Sequence, residues 1–294
     1  MQRWVIKFEP VSGQLPSKVR WAQHLPLGLN AVGEYRETHR APGMKPHTVR
    51  SVVVDHTRLS MTAVVCWLPD AYSPEKNPTT LQGQELDIMG CQVRCVDVTC
   101  VADVAQRDLM GEDFADPWLP DPFGSVTDPV VEFRVRSLSP WVYSENDPAT
   151  QFHPGRMVSR MARRWNDLLV WQPNRQRGSD LALLPESVPR EVIDELTECT
   201  TVVNISRLTV SEQQVAYDES RQKARLRQGV EVDAVVRCVP DQVETLLWFQ
   251  TVMRFAVWSG IATHTTSGLG QVDVQQVRRL SDLPQAHVPE WQMW

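Results

Sequence analysis

No run of about 18 apolar residues occurs in the chain, which excludes a membrane-spanning helix. None of the six cysteines forms a CxxC pair, and Cys91, Cys95 and Cys100 have no second cysteine or histidine pair at zinc-ligand spacing. Reduced, buried thiols are therefore expected rather than a zinc site. The P-loop, HExxH and GxSxG patterns are also missing, which removes the commonest phosphate cradle, zinc-peptidase and serine-hydrolase readings. Excess positive charge is missing too. Lysine plus arginine number 30 against 36 aspartates and glutamates, a formal charge of −6 that excludes a uniformly basic coat but not a local basic patch. The opening MQRWVIKFEPVSG lacks the apolar core of a secretory signal and alternates like a strand, so a cytoplasmic location is expected.

What is present is ordinary globular material: 294 residues, 42% hydrophobic and 22% charged, enough for two domains with real cores. Residues 3–9 alternate as a half-buried strand. A helix is expected between Pro26 and His39, where Leu27, Ala31, Tyr35 and His39 recur every four residues on one face. Val52–Val54, Leu59–Leu68 and Ile88–Val101 read as strands rich in β-branched residues. Prolines and glycines crowd residues 111–129, which places a domain boundary near residue 125 and gives domains 1–125 and 126–294.

The second domain opens with a strand at Val130–Val135. A helix follows from Pro154 to Val170, with Met157, Met161, Trp165, Leu168 and Leu169 as its apolar stripe. Strands are expected at Thr200–Leu208 and Val230–Cys238, then a helix capped by Asp241 with Glu244 three residues on, ending at Gly260. A last strand, Val272–Val277, precedes an extended tail. The order strand, helix, strand, strand, helix, strand is the split βαβ pattern, so the fold class is α+β with ferredoxin-like (βαββαβ) domains, the first half being compatible with the same plan.

Chemistry concentrates in a few places. The segment from Ser259 to Val272 holds Gly260, Gly268 and Gly270 among serines and threonines, including Thr265 and Thr266, with His264. Such a loop lets a polyanion approach main-chain amides. Residues 156–177 carry six arginines, among them Arg156, Arg160, Arg163 and Arg164, against Asp167 alone. Arg221, Lys223, Arg225 and Arg227 form a second basic cluster. Both are candidate contacts to RNA phosphate.

Three segments carry a resemblance to the CRISPR precursor-RNA-processing endoribonucleases of the repeat-associated RNA-binding superfamily. One runs from Arg254 to Gly260 and on to Gly270-Gln271-Val272, like the family's glycine-rich signature. A second runs from Phe133 through Ser139-Pro140 and Phe152-His153-Pro154 to Arg164-Trp165-Asn166. The third is Thr38-His39 followed by Lys45-Pro46-His47-Thr48-Val49. The resemblance implies tandem ferredoxin-like domains and a nuclease that uses neither metal nor cofactor. In that chemistry the ribose 2′-hydroxyl attacks the adjacent phosphate, leaving a 2′,3′-cyclic phosphate and a 5′-hydroxyl.

It further implies His39 as general acid/base, a role suited to a side chain that titrates near pH ~6.5. His47 is the rival, Tyr35 orients ribose or phosphate, and Lys45 or Arg50 stabilises phosphate charge. CRISPR repeat RNA is the expected partner. Other effector-complex subunits and a homodimer are left open. The family has glycine and then lysine or arginine where this chain has Ala262 and His264. The alternative is thus a non-catalytic RNA-binding subunit of a CRISPR effector complex. A protein-binding scaffold of similar fold is the third reading, opposed by the glycine loop and the arginine clusters.

Overall fold

The computed structural model describes residues 1–13, 15, 47–68, 78–88, 91–104, 128–142, 152–170, 187–218, 223–261, 265 and 269–283. The helix expected at 26–39 and the boundary near residue 125 lie outside them.

The first sheet is antiparallel with the order β2-β3-β1-β5-β4, built from β1 (Gln2–Ser12), β2 (His47–Asp55), β3 (Ser60–Trp67), β4 (Glu85–Ile88) and β5 (Cys91–Asp103). Alternation decides its core. Trp4, Ile6 and Phe8 point to one face opposite Val65, Ala63 and Met61, and all six are buried. Each large apolar side chain so placed contributes about 1.5–3 kcal/mol. The run expected as one strand from Ile88 is two. Ile88 pairs with Cys91, so the chain reverses there and β4 becomes an edge strand on β5. Leaving β4 aside, the order is fourth, first, third, second, the split βαβ arrangement. Where that plan places its second helix, the described residues hold a short 3-10 helix at Pro78–Leu81 and then β4.

The second half has the same wiring more fully. Its strands are β6 (Val130–Ser137), β7 (Trp141–Val142), β8 (Thr200–Asp218), β9 (Lys223–Cys238) and β10 (Val272–Arg279). The helices are α1 (Pro154–Val170), α2 (Arg190–Cys199) and α3 (Val243–Ser259). β10, β6, β9 and β8 lie side by side in that order, with β7 continuing the line of β6 along β9. Two ferredoxin-like units thus stand in tandem.

α1 has the expected bounds, and Met157, Met161, Trp165 and Leu168 are all fully buried. Trp165 meets the edges of Phe255 at 5.4 Å and Trp248 at 6.1 Å, contacts worth about 0.5–1.5 kcal/mol each beyond their area. α2 was not expected from the sequence, although Val192, Ile193 and Leu196 form its buried stripe behind Pro189. It crosses α1 so closely that a Cβ on Gly155 would stand 2.0 Å from the carbonyl oxygen of Thr197.

The expected Asp241 cap is corrected. α3 begins at Val243, and Gln242 makes no side-chain cap. Instead Glu195 of α2 accepts the Asp241 N–H at 2.8 Å and the Thr245 hydroxyl. The carboxylate holds the residue before the N-cap and a first-turn side chain, and its charge complements the positive helix end.

β8 and β9 run well beyond their expected spans as one long hairpin. Where the tail begins, Leu280–Asp282 is a 3-10 turn with Ser281 bonded to Asp128, and residues 284–294 lie outside the described residues. Cysteine burial is uneven. Cys66, Cys91, Cys95 and Cys238 are buried, whereas Cys199 is half-buried and Cys100, in the exposed end of β5, is open. Burial pushes the Cys95 thiol up to about 11.

α3 is enclosed on nearly every side from Thr245 to Ser259, because the second sheet holds one face and the first half holds its C-terminal end. The contact from the first half is a cross-strand row. Register places Thr48 beside Cys66, Cys66 beside Arg3 and Arg3 beside Ala102. Cys66 and Ala102, with Met1 and Leu68, belong to the same apolar cluster as the helices of the second half.

Candidate functional site

The C-terminal end of α3 and the start of β10 form a pinched neck. Gly260 (φ 67°) and Gly270 (φ 69°) take left-handed backbone conformations that favour glycine. A Cβ on Gly270 would lie 1.9 Å from the Ile261 carbonyl oxygen, and one on Gly260 would lie 2.8 Å from that of Gly270. Ile261 N–H donates to Gly270 O at 2.6 Å, Gly270 N–H to Pro140 O at 2.8 Å and Gly260 N–H to Ala256 O at 2.9 Å. The amides of both glycines therefore serve the neck itself. The Ser139-Pro140 turn closes it from β6, since Ser139 Oγ accepts the Gln271 N–H at 2.9 Å.

Cationic side chains from two directions converge there. A helix C-terminus leaves carbonyls without intrahelical donors and carries partial negative charge. From α1, Arg164 donates to Gly260 O at 3.3 Å and to Thr265 Oγ1 at 2.8 Å. Burial pushes its pKa down to about 10, so it remains a cation at neutral pH. From β2, Arg50 donates to Val257 O at 2.7 Å and Val272 O at 3.4 Å, and Thr48 Oγ1 to Trp258 O at 2.8 Å. The Arg3 guanidinium lies 4.4 Å from the centre of the Trp258 ring.

The other sequence-derived candidates divide clearly. His47 opens β2, is 1% exposed and stacks on Trp67 with ring centres 5.7 Å apart. Arg156 and Arg163 are exposed on α1 and Arg160 is half-buried. Lys223 and Arg225 sit at the hairpin end of β9, in register with Asp218 and Ala216. Thr265 is buried. Tyr35, His39, Lys45, Arg221, His264, Thr266 and Gly268 lie outside the described residues. Sequence reasoning assigned no role to Thr48 or Arg3. Alternation in β1 and β2 marks them as off the first core, but only the pairing register brings them together.

No family model and no curated protein matches the chain. Solved structures do. A Cas6 product complex, its protein from Thermus thermophilus, superposes with a TM-score of 0.65 at 14% identity, covering 93% of this chain and 99% of that one. A second Cas6 product complex gives 0.58 at 17% identity over 94% and 99%. A RAMP protein described as binding different RNA substrates gives 0.54 at 10% identity over 94% and 100%. The chain has the Cas6 fold. Because the likeness spans more than nine-tenths of each chain, the Cas6 fold here is the whole tandem and not a single ferredoxin-like unit.

Proposed function

We propose that this chain binds CRISPR repeat RNA and cuts it by attack of a ribose 2′-hydroxyl on the adjacent phosphate, giving 2′,3′-cyclic phosphate and 5′-hydroxyl ends. The observation that carries the reading is the docking of β2 onto the glycine neck. β2 begins two residues after Lys45 and eight after His39, and Thr48 and Arg50 tie it to the end of α3. The strand that follows the proton-transfer candidates in sequence and the two ends of the glycine loop are thereby joined. The Cas6 fold and the three motif segments support the same reading, and similar structures hold a cleavage product or a substrate mimic.

In this mechanism His39 transfers the proton, Tyr35 orients the ribose and Lys45 stabilises charge on the pentavalent phosphate. The burial of His47 against Trp67 favours His39 over it for that role. The RNA backbone runs along the 262–269 loop, past His264, Thr266 and Gly268. Exposed Arg156 and Arg163 contribute phosphate contacts. The neck glycines and Arg164 shape the loop.

The test is incubation with the chain's own repeat RNA in EDTA. Wild type cuts at one site, a 2′-deoxy substitution there stops cutting, and His39→Ala loses about 10²–10⁴-fold in rate. Tight binding without cutting would replace this reading by that of a non-catalytic subunit.

A further inference from the structure

Arg50 occupies an unusual place in β2. Val49 pairs with Val65 and Ser51 with Val64, so Arg50 is the extra residue of a β-bulge with no Cα partner on β3. A bulge re-aims the side chain it carries and bends its strand. Here the side chain leaves the first sheet and crosses to the second half, where one guanidinium nitrogen reaches both flanks of the glycine loop. It donates to Val257 O in the last turn of α3 and to Val272 O at the first residue of β10. Thr48, two residues earlier, holds Trp258 O. Alternation puts Arg50 on the face of Thr48, and the extra residue returns Val52 to the core face that Val49 occupies.

Resting on the nuclease reading above, we propose that Arg50 is a positioning residue. It holds β2, to which the segment carrying His39 and Lys45 leads in sequence, against Val257 and Val272 at the two ends of the loop between α3 and β10, and so fixes which phosphate of the bound RNA meets the proton-transfer group. Arg50 touches main chain rather than substrate in this role. A fixed guanidinium bridging two carbonyls suits it because misplacing a reacting group by about 1 Å costs roughly 10²-fold in rate while leaving binding nearly intact.

The experiment compares the full chain with Arg50→Ala, Arg50→Gln and Arg50→Lys on its own repeat RNA. It reads RNA affinity, the single-turnover rate constant at saturating protein, the reaction amplitude and the mapped cut site. The expected result for Arg50→Ala is a rate constant lower by about 10²-fold with affinity changed by less than about threefold, and cuts spread to neighbouring phosphates. Arg50→Lys, which keeps the charge but not the planar fork, recovers part of the rate.

A purely stabilising contact would lower the amplitude and leave the rate constant and cut site unchanged, which would overturn the proposal. Loss of affinity with an unchanged rate constant would assign Arg50 to RNA grip and also overturn it. If Arg50→Ala does not fold, the same outcomes are read from Arg50→Gln and Arg50→Lys. Absence of cutting by wild type overturns the nuclease reading and this inference together. Normal cutting by the variants overturns the inference alone.

Discussion

Arginines do opposite things on the open face of the second sheet and at the neck. On the sheet face Arg134 pairs with Asp233 at 2.7 Å and Arg136 with Asp273 at 2.9 Å. Arg207 meets Glu231, while Arg237 and Arg278 share Glu132. Five guanidiniums and four carboxylates nearly cancel there. At the end of α3 the partners of Arg3, Arg50 and Arg164 include an indole ring, main-chain carbonyls and a threonine hydroxyl, none of which carries a full charge. On the face each of these cations meets a carboxylate across the strands, whereas at the neck the cations also hold neutral groups. A count of arginines along the chain is therefore no map of where a polyanion would settle.

The contrast can be broken from the neck outward. Gly270→Ala combines a left-handed φ with a collision against the Ile261 carbonyl, so it is expected to cost more than about 3 kcal/mol, read by chemical denaturation. Glu132→Gln attacks the sheet face at its buried centre. Glu132 is 2% exposed and serves both Arg237 and Arg278, so its loss is expected to cost about 2–3 kcal/mol in the same measurement.

Replacing Arg156 and Arg163 by alanine is expected to weaken RNA binding by about tenfold and lower the salt slope by about 1–2, with little change in stability. The same substitutions at Arg134 and Arg136 should move the slope far less, and equal effects would erase the distinction drawn here. The smallest effect concerns pH. The Arg134 hydrogen bond holds the Asp233 carboxyl below its ordinary value of 3.8. A lowered carboxylate stabilises the fold above the unfolded value and loses that contribution as pH falls through the folded one. The melting temperature of Asp233→Asn should thus fall less steeply than that of wild type below about pH 4, by an amount corresponding to under about 1 kcal/mol.

Much of the fold was legible where one face of an element meets one core. α1 shows this best: its proline start and its stripe at spacings of three and four give the same limits in sequence and structure. α2 escaped notice because ten residues with three buried positions leave a weak period. The far half of β8 escaped because Ser211, Glu212, Gln213 and Gln214 are all polar and show no alternation to read. Asp241 misled because the carboxylate at the start of α3 belongs to Glu195, 46 residues from Asp241 in sequence. At the site, the loop between Gly260 and Gly270 was visible from glycine spacing. That the Gly270 amide is satisfied within the protein was not visible, since Pro140 reaches it only through the tertiary fold. The role of Arg50 was hidden for a similar reason, because its acceptors on Val257 and Val272 lie 207 and 222 residues away in sequence.

The shared apolar cluster at the seam has a mechanical corollary. With Met1, Cys66, Leu68 and Ala102 wedged among the helices of the second half, neither unit is complete alone. Scission between them would yield two aggregation-prone fragments, and heating should melt the whole in one cooperative step. A body joined in this way has no hinge at that seam. Any opening that admits or releases a ligand falls to its surface segments rather than to swinging halves.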